Sequence, residues 1–305
     1  MSSLSKTSPA SWPWIVSLLP TVLTMGWLVS KAQWFWQHSP ELQFGWVVLM
    51  LCAYLMWEAW EKRPGPRFEW SVSAAVLAGL GCALLFLTQL YQAAYGLTAA
   101  SMSGLGAGFL LVAGANLHYV FGWPGVRHFL FAVGFILISL PIPSVIYSPI
   151  VMGLQSKVAT INVEVLNLIG IPAVKTGSLI RLPNCVVGID EACSGIRSLQ
   201  STIMATLFIG YLTLRQNSAK ALLLFIGVAL AIFGNLARSL FLSVAANAKG
   251  SDAVKTFHDA AGWSILVFTA AGVAFVAWCL NKWDNASRNQ PNSALALNRL
   301  KQPQP

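Results

Sequence analysis

The sequence predicts an all-α polytopic membrane protein of about eight transmembrane helices, with a small extracytoplasmic α+β cap between the fifth and sixth. Three observations carry this. Of 305 residues 56% are hydrophobic and only 10% charged, where a soluble domain carries about 25% charged residues. Mean hydropathy is +0.65. Apolar runs of the length needed to cross a bilayer, about 20 residues at about 1.5 Å rise, recur along most of the chain. The same composition excludes a disordered chain, a collagen-like fibre and a disulfide scaffold, since glycine has no period and there are five cysteines.

Eight windows read as spans: residues 13–30, 43–58, 70–90, 95–117, 126–142, 196–214, 220–246 and 260–281. The first has no cleavage site or polar mature domain behind it, so it reads as a retained span rather than a signal peptide. Residues 1–281 form one integral membrane domain, and 282–305, rich in Asn, Gln and Pro, read as a mobile cytoplasmic tail. The glycine-rich stretch Gly104-Leu105-Gly106-Ala107-Gly108 reads as small-residue helix packing rather than a phosphate loop.

The net charge of +9 is not clustered on one soluble face, which excludes a nucleic-acid partner. Basic residues instead orient the chain. With the N-terminus inside, the inner side holds Lys6, Lys62, Arg63, Arg67, Arg127, Arg215, Lys220, Lys282, Arg288, Arg299 and Lys301. The outer side holds Lys31, Lys157, Lys175, Arg181, Arg197, Lys249 and Lys255. The excess predicts cytoplasmic termini and an extracytoplasmic cap. Membrane lipids are therefore the first partner class.

The cap spans about residues 144–195. Leu154, Val158, Ile161, Val165 and Leu168 repeat at helical spacing and predict an amphipathic helix. The period then changes. Ala173–Lys175, Leu179–Leu182 and Cys185–Ile189 are strand-like runs separated by Thr176-Gly177-Ser178 and Pro183-Asn184.

Polar groups inside spans are costly and mark function. Arg238 lies deep in the seventh window, one turn after Asn235. It is either a snorkelling residue or, as Asn235 argues, part of a polar pocket. His258 precedes the eighth span, whereas His38, His118 and His128 have no polar residues gathered near them in sequence. Cys193 stands at the N-terminal end of the sixth helix, where free N–H groups favour a thiolate, and Arg197 follows at i+4 on the same face. These residues fall at one outer boundary. Cys52, Cys82 and Cys279 read as packing residues; a Cys185–Cys193 disulfide is the alternative to a free Cys193. Asp190 and Glu191 either orient an arginine or the histidine, or simply complement the helix dipole.

Glu191-Ala192-Cys193-Ser194-Gly195-Ile196-Arg197-Ser198, then Asn235-x-x-Arg238, then His258-Asp259-x-x-Gly262-Trp263 resemble the exosortase/archaeosortase family of membrane cysteine transpeptidases over about residues 125–280. The resemblance implies that Cys193, Arg238 and His258 are the catalytic cysteine, arginine and histidine, with Glu191, Ser194, Arg197 and Asn235 in support. It implies as substrates secreted proteins whose C-terminal signal combines a Pro-Glu-Pro-type (PEP-CTERM) motif, a transmembrane helix and a basic end. It also implies a bacterial cytoplasmic membrane location with the site on the extracytoplasmic face, and an association with exopolysaccharide production.

The residue types fit that chemistry: a thiol nucleophile, a histidine proton shuttle and a cation for an oxyanion. Arg197 rivals Arg238 for the last role. Release by water makes a protease; release by an amine, on a lipid or glycan acceptor, makes a transpeptidase. The competing classes are a transporter or a structural subunit of a polysaccharide export assembly. Against a coupled transporter stands the absence of carboxylates deep in the windows. No metal or organic cofactor is expected, because the histidines are dispersed.

Overall fold

The computed structural model describes residues 16–188, 195–250 and 252–300. The chain divides into two compact units, residues 1–147 and 148–305.

In the first unit, α1 (Leu19–His38), α2 (Gly45–Glu61), α3 (Val72–Tyr95) and α4 (Ala99–Gly134) are the long elements, with 3₁₀ turns at Pro40–Leu42 and Phe135–Ser139. Ser71 and Thr98 cap α3 and α4 through their hydroxyls, satisfying backbone N–H groups that have no intrahelical partner. α4 is not straight. Gly122 stands at φ +71° just before Trp123-Pro124, a backbone conformation open to glycine. Beyond it the chain folds back, so that a Cβ placed on Gly106 would lie 2.6 Å from Leu140 Cδ1 and 3.0 Å from Leu137 Cδ2. A continuous helix would separate those residues by about 50 Å.

Glycines also set the α3–α4 contact. A Cβ on Gly104 would meet Thr88 Oγ1, and one on Gly108 would meet Leu85 Cδ2, each at 2.6 Å. The glycine run is therefore a packing surface, as predicted. Between helices in a bilayer such close approach replaces the hydrophobic drive that operates in water. Trp36, 1% exposed, donates its indole N–H to the Ser139 carbonyl at 2.9 Å and ties α1 to the turn after α4.

The second unit holds α5 (Ser144–Leu168, from Ser148 onward), α6 (Ile196–Thr213), α7 (Asn217–Lys249) and α8 (Asp252–Leu300). Between α5 and α6 lies an antiparallel sheet in the order β1 (Val174–Thr176), β2 (Leu179–Arg181), β3 (Val186–Gly188). Register pairs Lys175 with Ile180 and Ile180 with Val187. The strands fall within a residue or two of the runs the sequence marks. Ile180, Leu182 and Val187 pack with Val158, Leu166, Leu242 and Ala246 in one buried cluster, which seats the sheet and α5 on the C-terminal half of α7.

The buried stripe of α5 differs from the predicted one. Val151, Val158, Asn162 and Leu166 are buried, while Ile161 and Leu168 are 42% and 85% exposed. The stripe is rotated because Asn162 has a partner in α7: its Nδ2 donates to Ser239 Oγ at 2.5 Å.

Among the described residues five helical stretches are long and apolar enough to cross a membrane: Pro40–Glu61, Val72–Tyr95, Ala99–Ser139, Asn217–Lys249 and Thr256–Asn285. Eight were predicted. The fourth and fifth predicted windows, 95–117 and 126–142, overlap the two arms of the single folded-back stretch Ala99–Ser139. The first and sixth form α1 and α6, whose Lys31, Gln33 and Gln37, and Arg197 and Gln200, lower their hydropathy. The protein is a mostly helical polytopic membrane protein with a small three-stranded sheet.

Candidate functional site

Gly195 is the N-cap of α6; it occupies the left-handed region at φ +81°, ψ 4° and offers no side-chain cap. Its α-carbon lies on the amide of Asn235: a Cβ there would be 2.5 Å from Asn235 Cγ and 2.6 Å from Nδ2. Asn235 is 4% exposed. One turn further along α7, Arg238 reaches the first turns of α8, where its Nη2 donates to His258 Nε2 at 2.9 Å. On the other side of the ring His258 Nδ1 lies 3.3 Å from Asp259 Oδ1.

These contacts favour one tautomer. A guanidinium has only donors, so in this contact His258 Nε2 is the acceptor, and the tautomer that serves both contacts donates from Nδ1 to Asp259 Oδ1. The His258 side chain is 32% exposed and that of Asp259 is 92% exposed, so the chain Arg238–His258–Asp259 runs from half-buried helix packing out to solvent.

The ends of α7 and α8 are held together here. Phe241 and Phe257 meet edge to face at 5.9 Å, and Lys249 sits over the Phe257 ring at 5.2 Å. Small residues let the helices approach deeper down: a Cβ on Gly234 would lie 2.9 Å from Ile265 Cγ2, and one on Gly272 2.9 Å from Leu230 Cδ1.

A cleft of about 320 Å³ opens over this arrangement. Its walls are Gly195 at the N-cap of α6, Arg197, Ser198 and Ser201 from α6, Asn235 and Arg238 from α7, and His258, Asp259, Gly262, Trp263, Ile265 and Leu266 from α8. The structure thus brings together Arg197, Asn235, Arg238 and His258. Cys193, Glu191 and Ser194, with Asp190, lie outside the described residues. Arg238 bonds the histidine and lines the cleft, the pocket arrangement of the two that its sequence context left open.

Cys185 is packed against the sheet cluster, burial raises its pKa, and among the described residues it has no disulfide partner; Cys193, the other half of the alternative pairing, lies outside them. Among the described residues no group of three or more His, Cys, Asp and Glu could hold a metal ion. Two features escaped the sequence. Asp259 was read only as part of the His258-Asp259 block; its contact with His258 Nδ1 was not read, and adjacency to a candidate histidine was the available signal. His118, read as isolated, lies 3.4 Å from both Ser71 Oγ and Ser73 Oγ, residues too distant in the chain for spacing to reveal.

Fold and cleft together define a polytopic membrane protein with a polar, arginine- and histidine-lined site at one end of three helices. The model of the transmembrane exosortase family (Exosortase_EpsH) matches residues 36–276, and the chain belongs to that family. No curated protein and no solved structure matches it. Membership marks a membrane transpeptidase or protease, of a family that acts on secreted proteins carrying sorting signals.

Proposed function

We propose that the protein cleaves secreted substrates bearing a C-terminal PEP-CTERM-type signal, and transfers them to water or an amine, through a thioester on Cys193. The observation that carries this reading is the Arg238–His258–Asp259 chain lining one cleft with Gly195, two residues after Cys193.

The thiolate of Cys193 attacks the substrate carbonyl after its proton has passed to His258 Nε2. Once that nitrogen bears a proton, both it and Arg238 Nη2 are donors, so their hydrogen bond breaks. The guanidinium is released toward the tetrahedral oxyanion, while Asp259 steadies the imidazolium through Nδ1–H. Collapse expels the amine, which takes the Nε2 proton and leaves the thioester. His258 Nε2 then removes a proton from water or from an incoming amine as that nucleophile attacks. The second tetrahedral species collapses to product and Cys193 thiolate. Glu191 and Ser194 flank the nucleophile in sequence, and Asn235 supports the turn at Gly195.

The site faces the extracytoplasmic side of a bacterial cytoplasmic membrane, where the peptide just outside a substrate's own membrane helix is within reach. The helical windows, the Lys/Arg distribution and the family membership support that placement, with eight crossings counting the two arms of α4, α1 and α6.

The test is processing of a signal-bearing substrate by protein reconstituted in liposomes. Cys193→Ala and His258→Ala should abolish it, and Arg238→Lys should lower the rate roughly 10²–10³-fold, the scale of a lost oxyanion donor. Cleavage at the wild-type rate by Cys193→Ala sinks the mechanism, and a wild-type protein that processes nothing sinks the assignment.

A further inference from the structure

We infer that the outward face of the β1–β2–β3 sheet is a membrane-docking surface: its apolar residues sit in a headgroup layer of the bilayer that the helices cross, and Arg181 holds the phosphate of an anionic phospholipid. The inference does not depend on the catalytic reading. The strands alternate between two faces. Lys175, Ile180 and Val187 point inward, where Ile180 and Val187 join the buried cluster and Lys175 donates to Ser156 Oγ at 2.8 Å and Thr160 Oγ1 at 2.7 Å on α5. The opposite face therefore carries Val174 and Thr176, Leu179 and Arg181, and Val186 and Gly188, all exposed. Val174, Leu179 and Val186 are 63%, 41% and 54% exposed. The register lays Arg181 between Val174 and Val186 in one cross-strand row, and no carboxylate is among the outward residues of the three strands.

Asn167 extends the patch. Its side-chain amide pairs with both backbone groups of Ala173, at 2.9 and 3.0 Å, and so closes the loop that carries Leu168 and Ile169, 85% and 56% exposed, onto the start of β1. Exposed apolar surface gathered in this way marks an interaction site. The depth of the sheet names the occupant. Its inward face packs on Leu242 and Ala246 of α7, in an apolar stretch that starts at Asn217 and is long enough to cross a membrane; these residues lie about 38–44 Å along the helix axis. A bilayer is about 40–45 Å thick with its headgroups, of which about 30 Å is hydrocarbon. With the polar Gln216-Asn217 end at one headgroup layer, the sheet stands in the other. Because the sheet seats on the flank of α7, the face turned away from that flank looks sideways into the layer. Aliphatic side chains there meet the acyl boundary while a guanidinium extends to phosphate, whose oxygens its planar fork of donors matches in pairs.

The experiment uses full-length protein in nanodiscs holding equal amounts of phosphatidylglycerol and phosphatidylcholine with identical acyl chains. The photoreactive residue p-benzoylphenylalanine replaces Val186, and after irradiation the adducts are identified by mass spectrometry. Replacing Val174 gives a second reporter, and replacing Val76, exposed on α3 in the first unit, gives a reporter of bulk lipid. Adducts at Val186 and Val174 should be lipid, with phosphatidylglycerol enriched roughly 5-fold relative to Val76, the scale of one basic residue at an anionic surface. Arg181→Gln should bring that ratio to the Val76 value and Arg181→Lys should keep part of it, with thermal stability unchanged in both. Absence of lipid adducts from both sheet positions, or cross-linking there to a second copy of the chain, overturns the inference. So does a lipid ratio equal to that at Val76, or a phosphatidylglycerol preference that survives Arg181→Gln. Where the bulky reporter unfolds the sheet, native mass spectrometry of the unlabelled protein reads the same point: the wild type should retain one phosphatidylglycerol that Arg181→Gln loses, and equal retention overturns the inference.

Discussion

Replacing Gly195 with alanine strikes the site through backbone geometry alone, without touching a reactive group. At φ +81° an L-residue costs about 1–2 kcal/mol. The added Cβ would lie 2.5, 2.6 and 2.9 Å from Asn235 Cγ, Nδ2 and Cβ, and forcing a methyl into such a buried contact costs about 1–3 kcal/mol more. The total is about 2–5 kcal/mol. For a unit of this size that lowers the thermal midpoint by roughly 5–15 °C, read by fluorescence-detected gel filtration after heating. Processing should fall with it, since the shift occurs two residues from Cys193. Asn235→Ala removes two of the three clashing atoms, so the double variant should be less destabilised than the sum of the singles by about 1–2 kcal/mol. A Gly195→Ala protein with wild-type midpoint and activity, or strict additivity, would refute the close packing of these two residues.

Three further outcomes follow from particular contacts. Asn162→Ala leaves the buried Ser239 hydroxyl without its donor and should destabilise by about 1–3 kcal/mol; a thermal midpoint equal to wild type counts against that bond. Asp284, 2% exposed, accepts the backbone N–H groups of Arg215 at 3.0 Å and Gln216 at 3.4 Å. Asp284→Ala should therefore lower stability by about 1–2 kcal/mol while activity per folded molecule is retained, and a loss of activity without a loss of stability contradicts this. Because burial raises the Cys185 thiol pKa, its thiolate fraction at neutral pH is below that of an ordinary cysteine. Maleimide labelling of Cys185 should be slow at pH 7 and accelerate as pH rises; fast labelling at pH 7 would show the thiol to be open.

Where the sequence was readable, the physics was local. Apolar run length marked α2, α3, α7 and the membrane part of α8, and turn chemistry at Gly177 and Pro183-Asn184 delimited the three strands. Arg238 and Asn235 were legible because polar groups are conspicuous in an apolar helix. Pairwise packing was not legible. Nothing in periodicity announces that Asn162 turns inward, since its partner Ser239 is 77 residues away and an asparagine counts as a solvent-facing residue in any helical pattern. The same holds for Asp284, whose partners lie 68 and 69 residues back. The fold-back at Gly122 was marked only as a gap between two windows; the identity of Leu137 and Leu140 as neighbours of Gly106 is a tertiary fact.

The central claim is that chemistry passes through a covalent bond to Cys193 in the cleft of Arg238 and His258. Acid quench of reconstituted protein during turnover of a signal-bearing substrate, followed by proteolysis and mass spectrometry, tests it most directly. The account predicts a substrate acyl group on Cys193 that hydroxylamine removes, present in the wild type and absent from Cys193→Ala. An adduct on another residue, or full turnover by Cys193→Ala with no adduct at all, would contradict it.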